Sequence, residues 1–150
     1  LASLSILPLQ TLNLSRLGLQ DEHFATLSQL LRRTTTLQWL CLDGNRPSRV
    51  GLELLADALI ENSSTLIGLS LLDIWNTDRV DWNRLFPSNW YLQHLEITEG
   101  FTSFWLDLNQ RGRAYWMEQD LPWNVWPLVL ESLSHSSDNL WYVLQTFPFL

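Results

Sequence analysis

The chain has no lysine, one cysteine and one methionine in 150 residues. The absence of lysine rules out Schiff-base chemistry and the lysine of a phosphate-binding loop. A single cysteine, Cys41, cannot build an internal disulfide framework or a cysteine-rich zinc site, which points to a reducing compartment. No apolar run approaches the ~20 residues needed to cross a bilayer. The first residue is Leu1 and the only methionine is Met117, so the expectation is that the chain begins inside a longer protein. Sixteen acids against nine arginines give a net charge of −7, which repels phosphate backbones. Arg32–Arg33 and Arg111–Arg113 are the only close basic groups, and neither is set among stacking aromatics at a nucleic-acid-binding spacing. They are read as solvated helix ends.

Apolar residues make up 46% of the chain, enough for a core; a domain of this length buries ~70% of its unfolded surface. Tryptophan is abundant at nine residues, most of them after residue 80, and this shift in composition marks a second region. The pattern L-x-x-L-x-L occurs at Leu9–Leu14, Leu37–Leu42 and Leu66–Leu71, and with isoleucine last at Leu92–Ile97. The spacings are 28, 29 and 26 residues. Between the first two, Phe24, Leu27, Leu30 and Leu31 recur at helical spacing after the acidic Asp21 and Glu22. Between the next two, Val50, Leu54, Leu55, Ala58 and Leu59 read as a helix face, with Asn62 closing the helix. The third interval is weaker and is cut by Pro87, with Asp78 as the expected helix cap. Each unit reads as strand, loop, helix, loop.

Parallel strands stack ~4.8 Å apart while packed helices need ~8–10 Å, so a stack with strands on one side and helices on the other is expected to curve. The units resemble leucine-rich repeats of the ribonuclease-inhibitor type, on Leu37–Leu42, Asn45, Gly51 and the helical LLADAL. That resemblance implies a solenoid: an α/β fold with a short curved parallel sheet, helices on its convex side, and Asn45 satisfying backbone groups in its loop. The Asn45 position is Leu17, Ile74 and Gly100 elsewhere, so no asparagine ladder is expected.

After Gly100 the repeat stops. Phe101, Phe104, Trp105 and Leu108 suit a helix ended by Gly112. Pro127 is placed to start a helix running to about Ser134, and Asp138 to cap another through Thr146. The expected organisation is residues 1–98 as about four repeats and 99–150 as a largely helical cap on the last one. The tail also resembles those of uncharacterised microalgal repeat proteins, a likeness that implies no activity.

Catalytic patterns are wanting. His23, His94 and His135 lack metal-ligand spacing, and Asp73, Asp78 and Asp81 lack the calcium-loop pattern and its glycine. Cys41 has no base within its strand, and His94 lies two strands away. The sequons at Asn13 and Asn62 are discounted, one falling in a strand and the other at a helix end. No catalytic, cofactor-binding or metal-binding residue is expected.

If the leucines face the core, the residues between them face the concave side. Three cross-strand rows follow: Thr11, Trp39, Gly68, His94; Asn13, Cys41, Ser70, Glu96; and Ser15, Asp43, Leu72, Thr98. Trp39 is an interface anchor of a favoured type, with Asp43, His94 and Glu96 as polar neighbours; the competing possibility is that Trp39 merely lies over the residues beside it, or under a missing N-terminal repeat. The expected function is a non-enzymatic, intracellular (cytoplasmic) module that binds a protein partner through this face, without nucleic acid or membrane. The alternative is a regulatory or capping part of a larger protein, such as a nucleotide-binding receptor or a GTPase activator.

Overall fold

A computed structural model describes residues 9–61, 65–98, 100–101, 103–118 and 121–148. The expected helix-closing role of Asn62 lies outside the described residues. The chain divides at residue 102 into two compact units.

The first unit alternates short strands with helical segments: β1 (Thr11–Asn13), α1 (Asp21–Leu31), β2 (Trp39–Cys41), α2 (Arg49–Glu61), β3 (Gly68–Leu71) and β4 (His94–Ile97). The strands form one parallel sheet in the order β1-β2-β3-β4. Its register aligns the repeat residue for residue, with Thr11 opposite Trp39, Trp39 opposite Gly68 and Gly68 opposite His94. Leu40, Leu69 and Leu95 sit one step along and are buried, as period-2 alternation requires.

α1 begins where His23 Nδ1 accepts the Gln20 backbone N–H at 3.1 Å, satisfying a donor at the helix start. Phe24, Leu27 and Leu31 are buried on its inner face. Arg32 and Arg33 lie just past the helix, and Arg32 pairs with Glu61 of α2 at 2.5 Å.

α2 is turned relative to the sequence expectation. Val50 is exposed and Leu54 half-buried, while Leu52, Leu55, Ala56, Ala58 and Leu59 are buried. Close packing at Gly51 fixes this rotation. A Cβ there would meet Asp21 Oδ1 at 2.6 Å and Pro47 Cβ at 3.0 Å, so the glycine side faces α1.

The third interval contains two 3-10 turns, Thr77–Arg79 and Trp82–Leu85, rather than an α-helix. Asp78 lies inside the first turn. The second is capped by Asp81, whose Oδ1 accepts the Asn83 N–H at 3.1 Å. Trp82, Leu85 and Phe86 still fill the core.

The second unit comprises α3 (Phe104–Gln110), α4 (Arg113–Glu118), α5 (Trp126–Leu133) and α6 (Ser137–Thr146). Phe101 lies before α3 and stacks on Phe86 at 6.2 Å within the first unit. Pro127 occupies the first turn of α5, as its fixed φ favours. α6 is capped by Ser136 rather than Asp138, with the Asn139 N–H donating to Ser136 Oγ at 3.3 Å. Leu108, Trp116, Leu121, Trp126, Val129, Leu133 and Val143 make this unit's own core. Within it Arg113 is only 2% exposed, held 4.4 Å from the Trp105 ring and 5.0 Å from that of Tyr142. Burial pushes its guanidinium below the ordinary value, opposed by attraction to Tyr142 and a hydrogen bond to the Tyr142 hydroxyl.

Candidate functional site

The side chains between the strand leucines share the sheet face turned away from α1 and α2. A shallow, mainly apolar groove of about 240 Å³ crosses it, lined by Thr11, Asn13, Trp39, Cys41, His94 and Glu96 among others. Trp39 is 44% exposed and stacks on His94 at 5.3 Å between ring centroids. The two residues stand two strands apart, and Gly68 lets their rings meet. A Cβ at Gly68 would fall 2.2 Å from Trp39 Cε3 and Cζ3, inside any permitted contact. Trp39 therefore lies over its neighbour while nearly half of it stays open to solvent.

Asp43 is hydrogen-bonded within the sheet. Its Oδ1 accepts from Ser70 Oγ at 2.7 Å and from the Leu72 N–H at 2.9 Å, and its Oδ2 accepts from Cys41 Sγ at 3.1 Å. This carboxylate ties β2 to the end of β3. Cys41 thus donates to a carboxylate that lies just past its strand. Its thiol also lies 3.0 Å from Ser15 Oγ, so it is a link in a polar chain crossing the strands. Glu96 is exposed, and among the described residues its carboxylate has no hydrogen-bond or ion-pair partner.

Asn45, 1% exposed, holds the loop above the sheet with its full amide capacity. Oδ1 accepts from the backbone N–H groups of Leu17 (3.1 Å) and Leu19 (3.0 Å), and Nδ2 donates to the carbonyls of Leu14 (2.9 Å) and Leu42 (2.7 Å). At the opposite ends of the strands Asn89 does comparable work that sequence reasoning missed. Its Oδ1 accepts from Leu92 N at 2.9 Å, and its Nδ2 donates to Leu59 O at 3.1 Å. The signal lay in the alignment: Thr34 also stands three residues before its unit's first leucine, and its Oγ1 accepts from Leu37 N at 3.3 Å.

His23 caps α1, and His135 lies in a surface turn before α6. Among the described residues no group of three or more His, Cys, Asp or Glu is placed to hold a metal ion, and no helix is long and apolar enough to cross a membrane.

With this geometry in view, the chain can be set beside known proteins. No protein-family model matches it, and neither does any curated protein. Among solved structures, one described as leiomodin-1 actin-binding site 2 matches 73% of this chain and 68% of its own, with a TM-score of 0.59 and 17% identity. The chain shares the fold of that leiomodin site. A Caenorhabditis elegans tropomodulin C-terminal domain is also similar, over 74% of this chain and 90% of its own, at a TM-score of 0.46 and 13% identity. The leiomodin likeness overturns the expected recognition as a ribonuclease-inhibitor-type repeat protein with a microalgal tail: the fold shared is that of a leiomodin actin-binding site. The departures are physical as well. The loop asparagine occurs once, and the third unit has 3-10 turns where that resemblance implied a helix. What stands is a mixed α/β fold with a four-stranded parallel sheet.

Proposed function

We propose that the chain is a non-catalytic protein-binding module that grips its partner on the open strand face, with Trp39 as anchor and His94 and Glu96 as neighbours that set specificity. Asp43 contributes by holding β2 and β3 in place. The observation that carries this reading is an indole left 44% exposed on a sheet row whose facing position, Gly68, has been cleared for it. Large, rigid, half-exposed aromatics of this kind dominate binding energy at protein interfaces. Fold likeness to an actin-binding site of leiomodin makes actin the first partner to try, in a cytoplasmic setting. A repeat-built solenoid with this face on its concave side would suit such a task.

The test is titration of monomeric and filamentous actin with the 150-residue chain and its Trp39→Ala variant. Binding by the wild type, weakened at least tenfold in the variant while circular dichroism is unchanged, supports the reading. Equal binding by both chains removes Trp39 as anchor, and no binding by either removes actin.

A further inference from the structure

The groove beside Trp39 carries one carboxylic side chain. Among the residues lining it, Glu96 is the only acid and His94, stacked on Trp39, the only base; no arginine lines it. The nearby Asp43 is committed to Ser70, Leu72 and Cys41, so its charge is already partnered. Glu96 is exposed and unpaired among the described residues. Its position relative to the indole follows from the register. Trp39 reaches across Gly68 to stack on His94, which carries the ring one strand towards β4. Glu96 lies two residues beyond His94 on the same face, roughly 6.6 Å along the strand. An aromatic surface and a carboxylate with no partner among the described residues thus line the same mainly apolar groove.

Resting on the proposed binding face, we infer that this groove receives an arginine side chain from the partner protein, its guanidinium lying against Trp39 and donating to the Glu96 carboxylate. The match is chemical. Guanidinium is planar, stacks on indole and is less strongly hydrated than an ammonium, so it loses less on entering an apolar groove. Its parallel N–H groups suit a carboxylate in a two-bond arrangement. The aliphatic part of the side chain lies against the apolar lining. Net charge favours the same partner: at −7 and without lysine, the chain attracts basic segments over distances of a Debye length.

The experiment titrates the isotope-labelled 150-residue chain with N-acetyl-arginine amide and, separately, with N-acetyl-citrulline amide. Citrulline keeps the shape of arginine and removes its charge. The indole N–H resonance of Trp39, assigned by its loss in Trp39→Phe, and the Glu96 amide report binding. The expected result is saturable shifts with the arginine compound at least fivefold tighter than with citrulline. Glu96→Gln, at an exposed position, should bring arginine down to the citrulline level, and Asp138→Asn in the other unit should leave it unchanged. Equal binding of the two compounds would overturn the inference, as would arginine binding unaffected by Glu96→Gln or the absence of any shift at Trp39. Failure here stays separate from failure of the binding face, which is decided by the actin titration with Trp39→Ala.

Discussion

Replacing Asn45 by alanine should be the most damaging single polar change in the first unit. Four backbone groups lose their partner at once: the N–H groups of Leu17 and Leu19 and the carbonyls of Leu14 and Leu42. The Leu19 and Leu42 bonds are buried, whereas those to Leu17 and Leu14 are only partly so and can be taken over by water. A buried group left unsatisfied costs about 1–3 kcal/mol, and a hydrogen bond exchanged for water about 0.5–1.5 kcal/mol. Relaxation of the loop keeps the sum below the simple total, and a loss of about 3–4 kcal/mol is expected. Asn45→Asp separates the two halves of the amide, since it keeps acceptors for Leu17 and Leu19 but loses both donations. The assay is urea unfolding followed by far-UV circular dichroism, together with amide exchange at Leu40 and Leu42 so that the first unit is read by itself. A loss under 1 kcal/mol for Asn45→Ala, or unchanged protection at Leu42, would refute the claim that this side chain holds the loop on the sheet.

Other consequences are open to direct measurement. Gly68→Ala should drive the Trp39 ring off His94, costing about 0.5–1.5 kcal/mol of stacking and abolishing partner binding; a changed indole resonance with retained fold checks it. Asp43→Ala removes the acceptor for Ser70, Leu72 and Cys41 and should destabilise the first unit by about 2 kcal/mol in urea unfolding. Arg113→Ala should cost the second unit about 2–3 kcal/mol, from two desolvated ring contacts and a hydrogen bond, read by the change in tryptophan fluorescence on unfolding. Glu61 is held below its ordinary value by the hydrogen bond from Arg32, against a smaller opposing effect of desolvation. A lowered carboxylate pKa gives stability that is present above the unfolded-state pKa and lost as pH falls through the folded one. The stability difference between wild type and Glu61→Gln should therefore shrink on acidification and vanish once Glu61 is protonated.

Where the repeat is regular, its residues alone determine the strands and their pairing. Leucines at 37, 40 and 42 can all reach the core only if this segment stacks in register on its counterparts, because a one-residue slip would turn them to solvent. Thus the row Thr11, Trp39, Gly68, His94 was legible before any coordinates, whereas the role of Asn45 came only from the family resemblance. Periodicity does not settle how a helix is rotated when apolar residues surround it. α2 carries leucine, valine or alanine on most sides, and only the close approach at Gly51 selected Leu52 and Ala56 over Val50 and Leu54. Caps competed in a similar way: aspartate and serine both serve, and backbone geometry chose Ser136 over Asp138 and put Asp81 where Asp78 was expected.

Side-chain partnership was the least legible level. Asp43 and Glu96 are both acids between strand leucines, and no local pattern says that one is bound and the other open. The difference comes from the next strand, where Ser70 and the Leu72 N–H fall within reach of Asp43. The sequence by itself determined which residues share a face, because strand alternation is local and the repeat sets the register. Only the tertiary structure decided which of those residues are left open, because that depends on donors and rings brought alongside from the next strand and the one beyond it.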